Sequence, residues 1–181
     1  MLKDHETGNF FKKRLLTPDK KVNLAPREFI DEADALEKFY KREKNYDGFK
    51  LIGQRRRRTH NSWFSNVEPL MRKERENLAY INPKDASKLG IESGDVVVVK
   101  SDAGRIKIKA RITDDLMRGV VSVPHGWGHD MSSGLKTAKK YPGVNVNKLM
   151  ASGPGSLEKF AGMAKLTGVR ISIKKAKKQK L

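Results

Sequence analysis

Four consecutive valines, Val96 to Val99, followed shortly by the alternating run Arg105-Ile106-Lys107-Ile108-Lys109-Ala110-Arg111-Ile112, constrain the fold of this chain more than any other feature. β-Branched side chains crowd a helical turn and pack well on a pleated surface, so Val96 to Val99 reads as a strand. An unbroken apolar run predicts a strand covered on both faces. The second run puts Ile106, Ile108, Ala110 and Ile112 on one face and the cations on the other, the period of a half-buried strand. Its lysines and arginines are therefore accounted for by a solvated sheet face. Asp102-Ala103-Gly104 supplies the hairpin turn between the two strands.

The surroundings carry the same kind of punctuation. Asn82 to Gly90 reads as a short helix: Asn82 can cap its first turn, Pro83 suits the first helical position and Gly90 ends it. Phe49 to Ile52, Gly119 to Val123 and Val169 to Ile173 read as further strands. Several short strands joined by tight turns predict a small closed barrel rather than an open sheet. Asp31 to Lys44 has helical periodicity, with Ala33, Leu36, Phe39 and Tyr40 on one face. A second helix is expected over Val67 to Glu76, where Glu68, Arg72, Lys73 and Glu76 are spaced for pairing along its surface. The expected organisation is a polar arm with one helix over residues 1–45, a barrel over 46–173, and a basic disordered tail over 174–181.

Composition removes several classes of chemistry. The chain has no cysteine, so disulfides, thiolate metal sites, cysteine-ligated iron–sulfur clusters and a cysteine nucleophile are excluded. With 4 histidines an all-histidine metal site is not expected. No run approaches the roughly 18 apolar residues that read as a membrane span. The first residues form no apolar signal region, which points to a cytoplasmic protein without a membrane partner. The net charge of +18 raises the question of nucleic acid. Half of that excess lies in Arg55 to Arg58 and in the lysines of the tail, outside the clearest fold signal. The tail reads either as a solubilising segment or as a site for nucleic acid or another acidic partner.

Three loops carry candidate chemistry. Pro124-His125-Gly126-Trp127-Gly128-His129 follows an expected strand, and its glycines let the backbone approach a ligand and present N–H groups to phosphate or a heterocycle edge. Thr59-His60-Asn61-Ser62-Trp63-Phe64-Ser65-Asn66 concentrates amides, hydroxyls and an indole directly after four arginines, a set suited to a pterin or guanine with its phosphates. The same stretch also reads as a polar loop capping a helix at Asn66, with Trp63 and Phe64 in the core. Tyr141 to Leu149 adds the carboxamides of Asn145 and Asn147 after a Pro-Gly turn. Each stretch alone is compatible with an ordinary connecting loop.

Taken in order, the three resemble the C-terminal domain of the molybdopterin-guanine-dinucleotide oxidoreductases, the group of formate dehydrogenases, nitrate reductases and dimethyl sulfoxide reductase. Leu51-Ile52-Gly53-Gln54-Arg55-Arg56 with Asn61-Ser62-Trp63 and Asn66 is similar to that family's entry strand and cofactor loop. Asn82 to Ala86, Leu89-Gly90-Ile91, Gly94-Asp95 and Ser101 to Gly104 resemble its barrel core, and Gly119 to His129 and Asn145 to Leu149 its later cofactor loops. The resemblance implies a mainly β fold, a six-stranded double-psi β-barrel of the aspartate decarboxylase-like kind with short peripheral helices. It further implies that the barrel binds molybdopterin guanine dinucleotide, in a molybdenum or tungsten form, through its organic part.

By position it assigns Asn61, Ser62, Trp63, His125, Gly126 and Asn147 as cofactor contacts, with Arg58 and Trp127 beside them. Gln54 departs from the family, which often carries arginine there, and leaves the arginine register open by one residue. The resemblance places the family's metal ligand and iron–sulfur cysteines in other domains, so no catalytic residue and no metal ligand is assigned here. A larger catalytic subunit is the implied partner. A stand-alone cofactor carrier and a basic barrel for nucleic acid are the other readings.

Overall fold

The computed structural model describes residues 13–177, and the chain divides into two compact units, Met1–Tyr46 and Asp47–Leu181. The first unit contains helix α1 (Arg27–Ile30) and helix α2 (Ala33–Lys44). Helix α2 starts two residues later than the periodicity predicts, because Asp31 closes α1 by donating its N–H to the Arg27 carbonyl. The expected apolar face of α2 is solvent-exposed at Leu36, Phe39 and Tyr40. Arg42 lies over the Phe39 ring and Lys44 over the Tyr40 ring, so cation–π contacts cover part of that face.

The second unit is a closed barrel of β1 (Phe49–Gln54), β2 (Leu78–Ile81), β3 (Val96–Lys100), β4 (Arg105–Ile112), β5 (Val120–Pro124) and β6 (Val169–Lys175). Around the barrel the order is β1-β5-β2-β4-β3-β6. Two parallel pairs, β1 with β5 and β2 with β4, are joined by the antiparallel contact of β2 with β5. Antiparallel pairing of β4 with β3, β3 with β6 and β6 with β1 closes the circuit. This crossed arrangement of two parallel pairs is the double-psi β-barrel, in a fold that is mainly β. Helices α3 (Glu68–Met71), α4 (Pro83–Leu89) and α5 (Lys136–Lys140) are short.

The interior is aliphatic. Leu51, Ile81, Val97, Val99, Val121 and Val123 are fully buried, each contributing about 1.5–3 kcal/mol relative to exposure. Strand β4 alternates as expected, with Ile106, Ile108 and Ala110 inward and Arg105, Lys107, Lys109 and Arg111 exposed. The valine strand differs from expectation. Val97 and Val99 face the core but Val96 is 44% exposed and Val98 half-buried, because a barrel strand has one interior face.

Helix α4 follows its punctuation: the Asn82 Oδ1 accepts the Lys84 N–H, and Gly90 takes the left-handed conformation at φ 62°. Its buried Asp85 accepts the Gly119 N–H at 2.6 Å, tying the helix to the entry of β5. The helix expected over Val67 to Glu76 shrinks to one turn. Its charges pair across the fold instead, Glu68 with Lys140, Glu74 with Arg56 and Arg58, and Glu76 with Lys109. The last strand also runs further than expected. Lys174 and Lys175 belong to β6, and Lys175 pairs with Asp95 at 2.6 Å. Of the basic tail, residues 178–181 lie outside the described residues. Among the described residues no helix is long and apolar enough to cross a membrane.

Candidate functional site

Because β1 and β5 run parallel, both leave the barrel at the same end, with Gly53 beside Val123 and Gln54 beside Pro124. The loops after them therefore emerge side by side, and the His125 N–H extends the ladder by donating to the Gln54 carbonyl at 3.1 Å. Gly126 has a φ of 86°, and a methyl built on it would stand 1.7 Å from the Asn61 carbonyl oxygen. Only a residue without a side chain permits that approach. Asn61 itself has a φ of 61°, a conformation that asparagine tolerates better than most residues.

A second glycine seam joins the next loop. A methyl on Gly128, φ 88°, would lie 2.5 Å from the Asn145 nitrogen. Asn145 in turn accepts the Asn147 N–H at 3.0 Å and starts a 3-10 turn, Val146–Leu149, whose Val146 and Leu149 enter the core. Gly104, in the β3–β4 turn, presses on the same loop, since a methyl there would meet the Lys148 carbonyl at 2.4 Å. Four segments distant in sequence, the three loops and the β3–β4 turn, are thus held backbone to backbone at one end of the barrel.

Between them lies a cleft of about 620 Å³. Gly53, Arg55, Asn61 and Ser62 line one part, His125, Gly126, Trp127 and His129 a second, and Asn145, Val146, Asn147 and Met150 a third, with Leu166 and Thr167 completing the wall. The Asn61 Oδ1 lies 2.9 Å from His125 Nε2 and accepts a hydrogen bond from Arg55 at 3.2 Å, so its carboxamide orientation is fixed. Trp127 is 4% exposed, yet among the described residues its indole nitrogen has no hydrogen-bond partner; neither does His129 Nε2. Unpartnered buried polar atoms are costly, and in the wall of a cleft they mark positions where a bound molecule can complete the hydrogen bonding.

Six of the residues expected to contact a ligand come together in this cleft: Asn61, Ser62, His125, Gly126, Trp127 and Asn147. Two do not. Arg58 pairs with Glu74 at 3.9 Å, alongside Arg56, which also engages the Tyr80 hydroxyl and lies over its ring. Arg55 is the arginine that reaches the cleft. Trp63 is 79% exposed on the outer side of its loop, with Phe64 also exposed and His60 stacked on the Phe64 ring, so neither Trp63 nor Phe64 is a core residue. Asn66 does cap a helix, but a distant one: its Oδ1 accepts the N–H groups of Thr137 and Ala138 at the start of α5. Glu68 fastens the same junction through Lys140 and Tyr141. Those two hydrogen bonds hold its carboxyl below the usual carboxylate range, and the Glu68 carboxylate holds the Lys140 ammonium above the usual lysine range. Of the lining residues not assigned from sequence, Asn145 had a signal in its Pro-Gly loop, whereas Leu166 and Thr167 had none. Among the described residues no group of three or more His, Asp or Glu is placed to hold a metal ion.

Residues 49–167 match the family model described as the molydopterin dinucleotide binding domain. The chain belongs to this family. The matched span takes in all three loops and five of the six barrel strands, leaving only β6 outside. A tetrathionate reductase subunit from Archaeoglobus fulgidus is 38% identical to this molydopterin dinucleotide binding domain over 74 residues, which cover 41% of the chain and 6% of that protein. Protein FwdD of Methanocaldococcus jannaschii is 35% identical over 77 residues, 38% of the chain and 58% of that protein. The chain thus spans a small part of the reductase polypeptide and a little over half of the shorter relative. The solved structure of acetylene hydratase from Pelobacter acetylenicus superposes with a TM-score of 0.58 at 21% identity, over 86% of this chain and 21% of the other, which shows the shared fold. The family match supports molybdopterin as the cofactor and gives no support to the nucleic-acid alternative.

Proposed function

We propose that the cleft binds the guanine dinucleotide end of a molybdenum or tungsten bis-pterin cofactor, and that the chain serves as the cofactor-binding cap of a larger catalytic polypeptide. The observation that carries this reading is the convergence of Arg55, Asn61, Ser62, Trp127 and Asn147 on one cleft beside unpartnered indole and imidazole nitrogens. The donor set fits the group. Arg55 offers a planar guanidinium to phosphate, and the asparagines offer donors and acceptors to a heterocycle edge. When bound, the cofactor supplies the redox centre. This chain's residues bind and orient its organic part. The small fraction of the reductase relative that is covered supports a larger catalytic polypeptide beside this domain.

The test uses guanosine diphosphate as a soluble probe of the dinucleotide end. A concentration of about 100 times Kd stabilises the folded state by roughly 2.7 kcal/mol, which is read as a rise in melting temperature. Adenosine diphosphate should give a smaller rise. No shift with guanosine diphosphate at millimolar concentration, or an equal shift with both nucleotides, would sink the guanine reading. Purification from the native cell should also bring down a larger polypeptide containing molybdenum or tungsten.

A further inference from the structure

Behind the cleft, outside its lining, stands a buried carboxamide. Asn77 immediately precedes β2 and is 7% exposed. Its Nδ2 donates to the Pro124 carbonyl at 3.2 Å, and its Oδ1 accepts the Val144 N–H at 3.0 Å. Pro124 is the last residue of β5, directly before His125 to His129, and Val144 directly precedes Asn145 to Asn147. One side chain thereby engages the backbones of two cleft loops that are not neighbours in sequence. The backbone ladder between β2 and β5 holds only Tyr80 to Ser122 and Ile81 to Val121, so the Asn77 side chain continues the link where the ladder stops.

The packing around it is tight. A methyl added at Gly143 would stand 2.8 Å from a Trp127 ring carbon and 2.9 Å from the Asn77 Cβ. A glutamine would shift the carboxamide by a methylene from both backbone partners, and a leucine would strand a buried carbonyl and a buried N–H. An aspartate would set a carboxylate oxygen against the Pro124 carbonyl in place of a donor.

We infer that Asn77 is a positioning residue of this site: it sets the separation between the Trp127 and Asn145 walls of the cleft, and so its affinity for the dinucleotide, without lining the cleft itself. The consequence for affinity rests on the function proposed above; the consequence for loop spacing does not. The test is made in the whole chain with Trp63→Phe, which leaves Trp127 as the sole tryptophan. Asn77→Ala and Asn77→Asp should make Trp127 about twice as sensitive to acrylamide quenching and the Val144 amide about tenfold faster in exchange, at temperatures where circular dichroism shows the barrel intact. Affinity for guanosine diphosphate should fall about tenfold in the same variants. Should Asn77→Ala not fold, Gly143→Ala spreads the same seam with Asn77 in place and is expected to give the same quenching and exchange changes. A purely structural residue would lower the melting temperature and leave quenching, exchange and affinity alone, and that result in a folded variant overturns the inference. Failure of the unsubstituted chain to bind guanosine diphosphate counts against the proposed function, while quenching and exchange still decide the role of Asn77.

Discussion

Gly126→Ala tests how closely the cofactor loops are locked. The added methyl would stand 1.7 Å from the Asn61 carbonyl oxygen and 2.4 Å from its carbon, both backbone atoms, so the two loops must move apart by more than an ångström. Two costs add. Holding an L-residue in the left-handed region costs about 1–2 kcal/mol, and forcing a methyl into filled space costs about 1–3 kcal/mol. The sum is about 2–5 kcal/mol, which at roughly 4 °C per kcal/mol for a unit of this size lowers the melting temperature by roughly 8–20 °C. Gly134→Ala is the matched control: its φ of 79° is similar, but a methyl there meets none of the described residues within 4 Å. It carries the conformational cost alone, roughly 4–8 °C. Thermal and urea unfolding followed by circular dichroism give both numbers. Equal losses in the two variants would show that Gly126 is not in contact with Asn61, and the account of a glycine-locked cleft would fail.

Three further outcomes follow from other contacts. Arg55→Ala, at an exposed position, should leave stability within about 0.5 kcal/mol while weakening guanosine diphosphate binding and flattening its salt dependence in a calorimetric titration; an unchanged affinity would remove Arg55 from the site. Asn82→Ala loses the cap on the Lys84 N–H and a donor to the Leu116 carbonyl at 2.7 Å, so urea unfolding should show a loss of about 1–2 kcal/mol. Glu68→Gln should make stability less sensitive to acid. The depressed Glu68 carboxyl contributes stability above the usual carboxylate range, and that contribution is lost as pH falls through its folded value, so wild type and variant should converge on acidification; the raised Lys140 contribution fades instead at alkaline pH. Parallel pH profiles for the two proteins would refute the assignment.

Much of the barrel is legible in residues 82–123, where each local signal agrees with the others. The cap at Asn82, the αL stop at Gly90 and the alternation of β4 need only near neighbours, so sequence carries them. The valine run misleads because apolar continuity does not distinguish a strand sandwiched between layers from one with a single interior face, as the exposure of Val96 shows. Strand β2 has no polar alternation over Leu78 to Ile81 and takes its identity from β4 and β5 on either side. In the site, four consecutive arginines look alike until Glu74, far along the chain, claims Arg56 and Arg58 and leaves Arg55 to the cleft. Trp63 falls outside because His60 and Asn61, both with positive φ, reverse the chain ahead of it. Asn77 carries no motif; its role exists only where β5 and the 143–149 loop meet.

The first and last barrel strands lie side by side, with Phe49 opposite Ile171 and Leu51 opposite Val169. The two ends of the barrel therefore leave it close together, and every other strand is laid down between them. A module with that geometry can be grafted onto the end of a long polypeptide, or produced from a gene of its own, without re-routing any strand. Similarity to stretches of both a reductase polypeptide many times longer and a much shorter protein is what such portability would leave behind. A fusion joined ahead of Phe49 should therefore leave every strand pairing of the barrel in place.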